Sequence, residues 1–290
     1  MVVADTHSLG DAMPSPITPP PFLAQPFASA VAAQGQSLLR LSTGLRINRG
    51  ADDPSGLIAA ENLSAALATL EAETRALERA DAVASTADGY LSEISSQLRD
   101  ADAIAVAAAN TAGMSDAERE AYQMELDSIA NSVARTAQTA EFNGQDLFNG
   151  ASAISTAGDS VALDELNSTT IGSVEIDGET YSIADVVSGG RADLSTSPEI
   201  ASQVIAAARD QVSTLRGRIG AFQAHSVEPA RAENAAATRN ISSALSIIRD
   251  TDFAAETSEL VRTGVLSSAS ATSLILGARS TANAISLLAA

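Results

Sequence analysis

Four arrangements in this 290-residue chain carry side chains that could do chemistry. The first is the pair of histidines, His7 and His225. A metal site or a catalytic triad needs each imidazole beside a second ligand or a carboxylate. These two stand more than two hundred residues apart with no such motif around either, so His225 reads as a helix-surface histidine. The second is the adjacent pair Asp52 and Asp53, which could divide general acid and base work if their environments pushed their pKa values apart. Nothing apolar beside them would raise one of the two, and Pro54 follows directly. The pair therefore reads as a helix start, with Asp53 as N-cap and Pro54 at the first helical position, where a missing amide hydrogen costs nothing. Third, Gly217 and Gly220 lie in helix-compatible sequence and match no phosphate-binding fingerprint. Fourth, Asn-X-Ser/Thr acceptors occur at Asn62, Asn167 and Asn240, two of them inside helical periodicity. The chain has no cysteine, which excludes disulfides and thiolate metal sites. The residues point to no enzyme, no metal and no cofactor.

Composition narrows the class further. Hydrophobic residues make up 45% of the chain but aromatic ones only 3%, and much of the apolar content is alanine. That favours close helix-to-helix packing over a thick globular core. A formal net charge of -19 argues against nucleic acid and against anionic membranes as partners, since like charge repels. All seventeen basic residues are arginines, scattered rather than clustered. No secretory signal peptide is legible, because the first residues carry no positive region and the apolar stretch from Phe22 to Ala33 follows a proline cluster. Val265 to Ala290 is apolar on balance, yet serines, threonines, Asn283 and Arg279 interrupt it too often for a transmembrane helix.

The elements that position these residues are almost all helical. Residues 1 to about 36 contain Pro14, Pro16, Pro19, Pro20, Pro21 and Pro26, which bars one continuous helix there, and no charge occurs between Asp11 and Arg40. From Leu57 to Asn110, Leu63, Leu70, Leu77, Ala84, Leu91, Leu98 and Ala105 recur every seven residues, the spacing of a coiled-coil helix, with Glu73 the one misfit in the companion seam. Gly113 ends that helix, and Ser115 with Glu118 forms a capping box for the next, whose expected buried face is Met124, Leu126, Ile129, Val133 and Ala137. Phe142, Asn143 and Gly144 signal a turn, after which the helical period disappears. Val174 and Ile176, then Tyr181 and Ile183, alternate around Asp177-Gly178, a hairpin signal. Ser197 and Pro198 start a further helix, Pro229 interrupts it near Glu228, and a final helix runs from about Phe253 to the end. The fold class is mainly α: a long antiparallel helical bundle or coiled coil with a small β-hairpin excursion.

Both chain ends are apolar and nearly uncharged; after Arg262 the only charge is Arg279. Acidic residues concentrate in the middle, notably Glu61 to Glu78 and Asp116 to Asp127. Exposed apolar stripes of this size mark an interaction surface, so the ends are expected to self-associate while the body stays solvated.

With these residues laid out, the chain resembles the bacterial flagellins. The resemblance lies in LSTGLRIN and ADDPSGLIAAENL, runs along the long helix to TAEFNGQDLFNG, and returns in RGRIGAFQ, SSALSIIRDTDFAAE and GARSTANAISLL. It covers about 37 to 150 and 198 to 290. The resemblance implies a secreted, extracellular subunit that polymerises with copies of itself into the flagellar filament for motility. It also implies export through the flagellar apparatus, with an export chaperone, a filament cap and hook-junction proteins as partners. By the same resemblance, residues 1–45 and 253–290 form a terminal, channel-lining polymerisation domain whose N-terminal part is Pro-rich and divergent. Residues 46–252 form a helical rod domain with a β-hairpin insertion near 151–197. Leu41, Leu45, Ile47, Leu274, Ile285, Leu287 and Leu288 are the expected subunit contacts; Asn48, Asp52, Asp53, Pro54 and Gly56 the spoke that starts the long helix; and Phe142, Asn143 and Gly144 the turn. Two readings in the same fold stay open at this point, a hook-filament junction protein and a secreted flagellin-like paralogue that forms no filament.

Overall fold

The computed structural model describes residues 21–109 and 114–289, apart from the side chains of 21–23, 285, 288 and 289. The chain divides into two compact units, one made of the chain up to Ala65 together with Ile241 onward, the other of Ala66–Asn240.

In the second unit the helix α2 (Pro54–Ala109), which begins in the first unit, sets the frame. Leu77, Ala84, Ala87, Leu91, Ile94, Leu98, Ala101 and Ala105 are buried along it, the stripe that the seven-residue spacing predicts. The expected stop at Gly113 lies outside the described residues. Helix α3 (Asp116–Gln138) starts with the capping box read from the sequence: the Glu118 amide donates to Ser115 Oγ at 3.3 Å, and the Ser115 amide donates to Glu118 Oε2 at 2.8 Å. Its buried stripe is Leu126, Ala130, Val133 and Ala137, joined by Gln123. Met124, expected in that stripe, is 60% exposed. One residue is a 100° rotation on a helix, and the inward position goes to the Gln123 amide because it has work there. Gln123 Nε2 donates to the Val186 carbonyl at 2.9 Å, and Gln123 Oε1 accepts from the Leu194 amide at 2.8 Å. A buried loop thereby satisfies peptide groups that would otherwise lie dry and unpaired.

Three two-stranded antiparallel ribbons follow: β1 (Glu141–Phe142) with β2 (Gln145–Asp146), β3 (Ala153–Ser155) with β4 (Ser160–Ala162), and β5 (Val174–Ile176) with β6 (Glu179–Tyr181). The sequence points to the last and to the turn of the first, Asn143-Gly144; the middle ribbon, joined without an Asn-Gly or Asp-Gly pair, has no such signal. Asn143 and Gly144 (φ 52° and 75°) and Asp177 and Gly178 (φ 55° and 82°) make two-residue turns with both central φ positive, the geometry that matches strand twist. Ile183, expected to extend the hairpin, opens a short 3-10 turn (Ile183–Asp185) instead. There the Asp185 carboxylate accepts from the Ser182 amide at 3.0 Å and bends the chain.

Helix α4 (Pro198–Phe222) carries Pro198 at its start and buries Val204, Val212, Leu215, Ile219 and Phe222, as their spacing predicts. Ser197 precedes it but its side chain makes no capping bond, contrary to expectation. Its amide donates instead to the Asp193 carbonyl at 2.7 Å. Before Pro229 the backbone widens into one π turn (Gln223–Val227), then continues as α5 (Glu228–Arg249). A proline ring clashes with the carbonyl four residues earlier and removes a donor, and the wider turn relieves both. Gly172 (φ +70°) lies against α4, where an added Cβ would sit 2.6 Å from the Val204 carbonyl oxygen. Arg216 bridges to Asp88 at 2.8 Å and Arg231 to Asp81 at 3.3 Å, and Arg209 pairs with Asp102, tying the returning helices to α2 along its length.

In the first unit, α1 (Pro21–Thr43) pairs with α6 (Phe253–Ala289). A helix begins inside the proline-rich stretch. Pro21 stands at the first helical position, and Pro26, one turn further, removes one hydrogen bond near a helix end. The other four prolines lie outside the described residues.

Candidate assembly surface

Two places in the first unit bear on function: the spoke between α1 and α2, and the face that the α1 and α6 pair turns outward. At the spoke, Gly44 (φ +71°) ends α1. The next residues run beside the end of α5: the Arg46 amide donates to the Arg249 carbonyl at 2.7 Å, and the Thr251 amide to the Gly44 carbonyl at 2.9 Å. Asp52 Oδ2 then accepts from the Asn48 and Arg49 amides, both at 3.0 Å, and Asn48 Nδ2 donates to the Leu45 carbonyl at 2.8 Å. Asp53 Oδ1 accepts from the Gly56 amide at 2.9 Å, closing the N-cap with Pro54 at the first position of α2. A larger residue at Gly56 would displace the cap and the side chain beneath it, since a Cβ would fall 2.3 Å from Asp53 Oδ2 and 2.7 Å from Ile47 Cδ1. Ile47 itself is buried at 3% exposure, while Leu41 and Leu45 are half-buried.

Both spoke carboxylates are held below their ordinary value of 3.8, Asp52 first by the Asn48 amide and Asp53 first by the Gly56 amide. A carboxylate with a lowered folded pKa adds stability above the ordinary carboxylate range and loses it as pH falls through the lowered value. The expected result is a loosening of the spoke in acid, read as coupled amide shifts at Asn48, Arg49 and Gly56 in an NMR titration. Asp52→Asn together with Asp53→Asn removes that transition.

Along the helix pair, Arg40 Nη1 lies 3.5 Å from Glu256 Oε2, and a Cβ on Gly264 would sit 3.8 Å from Gln34 Nε2. As α1 is read backwards, α6 is met forwards, so the two are antiparallel. The face of α6 toward α1 is mostly small: Thr263 is buried, and Gly264, Ser267, Ser270 and Ala278 are half-buried, with Leu260 and Leu274 the two large side chains among them. Its outward face holds the large aliphatics instead, with Val261 66%, Val265 64%, Ile275 53%, Leu276 59% and Leu287 80% exposed. This is inverted relative to a helix in a soluble bundle, which turns its apolar stripe inward. Contrary to the expectation from its serines and threonines, Phe253–Ala284 is long and apolar enough by length and composition alone to cross a membrane, with mean hydropathy 1.2 and only 6% buried. Of the sequence-predicted contacts, Leu287 is exposed and Leu274 half-buried; the side chains of Ile285 and Leu288 lie outside the described residues.

The residues that could do chemistry are otherwise engaged. Ser226 Oγ donates to the Asp159 carboxylate rather than to His225, so no base stands ready to activate that hydroxyl. Asn167 Oδ1 accepts from the Thr169 and Thr170 amides at 2.8 and 3.0 Å, and its Nδ2 donates to Glu165. Asn143 and Gly144 form the β1–β2 turn, both exposed, with Phe142 half-buried. Among the described residues no cluster of three His, Asp or Glu side chains could hold a metal.

Comparison with known families matches residues 26–153 to the bacterial flagellin N-terminal helical region and residues 202–288 to the bacterial flagellin C-terminal helical region. The Bacillus subtilis flagellin is 28% identical over 88% of this chain and 93% of its own length. The Halalkalibacterium halodurans flagellin is 30% identical over 82% of this chain and 85% of its own. A flagellar filament core protein of 30.7 kDa from Treponema maltophilum is 28% identical over 86% of this chain and 90% of its own.

Proposed function

The chain belongs to the bacterial flagellin family and is a structural, non-enzymatic subunit of the extracellular flagellar filament, and we propose that its outward α6 face is the surface through which copies polymerise. The single observation that carries this reading is the inverted helix pair. Mostly small residues meet inside it, while Val261, Val265, Leu266, Ile275 and Leu276 face out in a stripe that water solvates poorly. Each such side chain, roughly half covered within the chain, contributes about 1 kcal/mol more when a neighbouring subunit covers the rest.

In this reading the terminal segments, 1–45 and 253–290, complete their burial only in the polymer. Leu274, Leu287, Ile285 and Leu288 join the seam from α6, and Leu41 and Leu45 from the α1 side. Ile47 acts one step back, wedged against Gly56 to hold the spoke that Asn48, Asp52, Asp53 and Pro54 build. The Phe142–Gly144 turn is a second contact element, presenting an exposed tip on a half-buried phenyl ring. A stripe this apolar needs cover before assembly as well, which fits an export chaperone for α6, then a filament cap and hook-junction proteins at the ends of the polymer. The test is pelleting of purified chain after salt-induced or seeded assembly. A concentration threshold above which polymer sediments is expected; a chain that stays in the supernatant under every condition contradicts the reading.

A further inference from the structure

The second unit carries a surface that the α6 seam does not use. Between α2 and the outer edge of β3 runs a groove of about 460 Å³, floored by Ala76, Ala80, Val83 and Ile154. Arg75 and Arg79 line it, and no acidic residue does. Both arginines are exposed, and neither makes an ion pair or hydrogen bond with any described residue.

The strand edge beside them is open too. Leu163 N donates to Ser152 O and Thr156 N to Asp159 O, so the bonded pairs of the ribbon fall at 152, 154 and 156. Ala153 and Ser155 therefore turn their peptide groups outward, into the groove, where they meet no strand.

We propose that this groove receives the first turns of α3 from a second copy of the chain, with Asp116 and Glu120 pairing with Arg75 and Arg79. The spacing matches: both pairs stand four residues apart on a helix, about 6 Å along one face. Asp116 and Glu120 are the available carboxylates of that turn, since Glu118 is held in the capping box with Ser115. Asp116 has a loose 3.9 Å contact with Arg119 and is otherwise fully exposed. The two surfaces also lie at opposite ends of the unit. Arg79 is thirty residues before Ala109, the last residue of α2, which places it about 45 Å along the helix from the region where α3 begins. A contact between unlike surfaces at opposite ends is head-to-tail, and it propagates as an open helical filament wherever the rotation from one subunit to the next does not close a ring.

The inference rests on the filament reading and is tested against it. Four full-length chains are compared by pelleting, with circular dichroism to confirm folding: unaltered, Arg75→Glu with Arg79→Glu, Asp116→Arg with Glu120→Arg, and all four substitutions together. The expected result is that each double variant raises the assembly threshold about tenfold or more, and that the fourfold variant, whose charges are exchanged, returns toward the unaltered value. A one-to-one mixture of the two double variants should co-assemble for the same reason. Assembly of the unaltered chain with equally good assembly of either double variant overturns the groove contact alone. So does failure of the fourfold variant and the mixture to recover. If the unaltered chain does not assemble, the filament reading falls and the groove contact with it.

Discussion

Replacing Val261, Val265 and Leu266 together with serine abolishes assembly at concentrations where the unaltered chain polymerises, and leaves the monomer folded. These side chains are 66%, 64% and 45% exposed, so they contribute little within the chain. Surface substitutions of this kind change monomer stability by roughly 0.5 kcal/mol at most. In the polymer each would lose about 1 kcal/mol of burial, since roughly half of each side chain is still open to be covered. Three together raise the threshold concentration by roughly a hundredfold, since about 1.4 kcal/mol is a factor of ten. The sedimentation threshold measures the first half of this expectation and thermal unfolding of the monomer the second. Equal losses in both would mean that the stripe belongs to the chain's own core.

Gly172→Ala has the largest expected effect on folding. With φ at +70° and a carbonyl 2.6 Å from where the Cβ must go, alanine is opposed by both backbone strain and a contact with α4 that cannot rotate away. The combined cost is about 3 kcal/mol, which lowers the unfolding temperature of a unit this size by roughly 6–12 °C. Gly178→Ala is the matched control. It has a similar φ of +82° but open space around it, so only the backbone term of about 1 kcal/mol applies. Calorimetry of the two variants separates strain from steric conflict.

Much of this fold is legible in the sequence where one physical signal dominates. The seven-residue recurrence along α2, the Ser115 and Glu118 box and the Asp177-Gly178 turn each specify their element locally, and each appears in the structure. What escapes the sequence depends on partners distant along the chain. Gln123 is polar and reads as surface, yet it takes the inward position from Met124 because Val186 and Leu194 need its amide. No hydropathy pattern carries that information. Proline content bars a single helix across 1 to about 36 but does not reveal that one can begin at Pro21, because a proline in the first turns of a helix costs far less than one in its interior. Pro229, well inside helical sequence, does disturb it, and the disturbance takes the form of a π turn.

The assembly surface was half legible. An uncharged, apolar C-terminal run announces that something must cover it, but sequence alone places Leu274 and Leu287 on equal terms. Only the pairing with α1 separates them, with Leu274 drawn partly inward and Leu287 left 80% exposed. Ile47, read from the sequence with the contact residues, lies buried against Gly56 within the chain. The groove beside β3 had no sequence signal at all, since it needs a three-residue strand, an open edge and two unpaired arginines brought together from positions about eighty residues apart.

The central claim, that this chain polymerises through its terminal helix, is tested most directly by electron microscopy of the full-length protein beside a truncation ending at Asp252, both under seeded or salt-induced assembly. Filaments from the full-length chain and none from the folded truncation are the predicted result. Filaments from the truncated chain, or a full-length chain that stays monomeric under every condition, would contradict it.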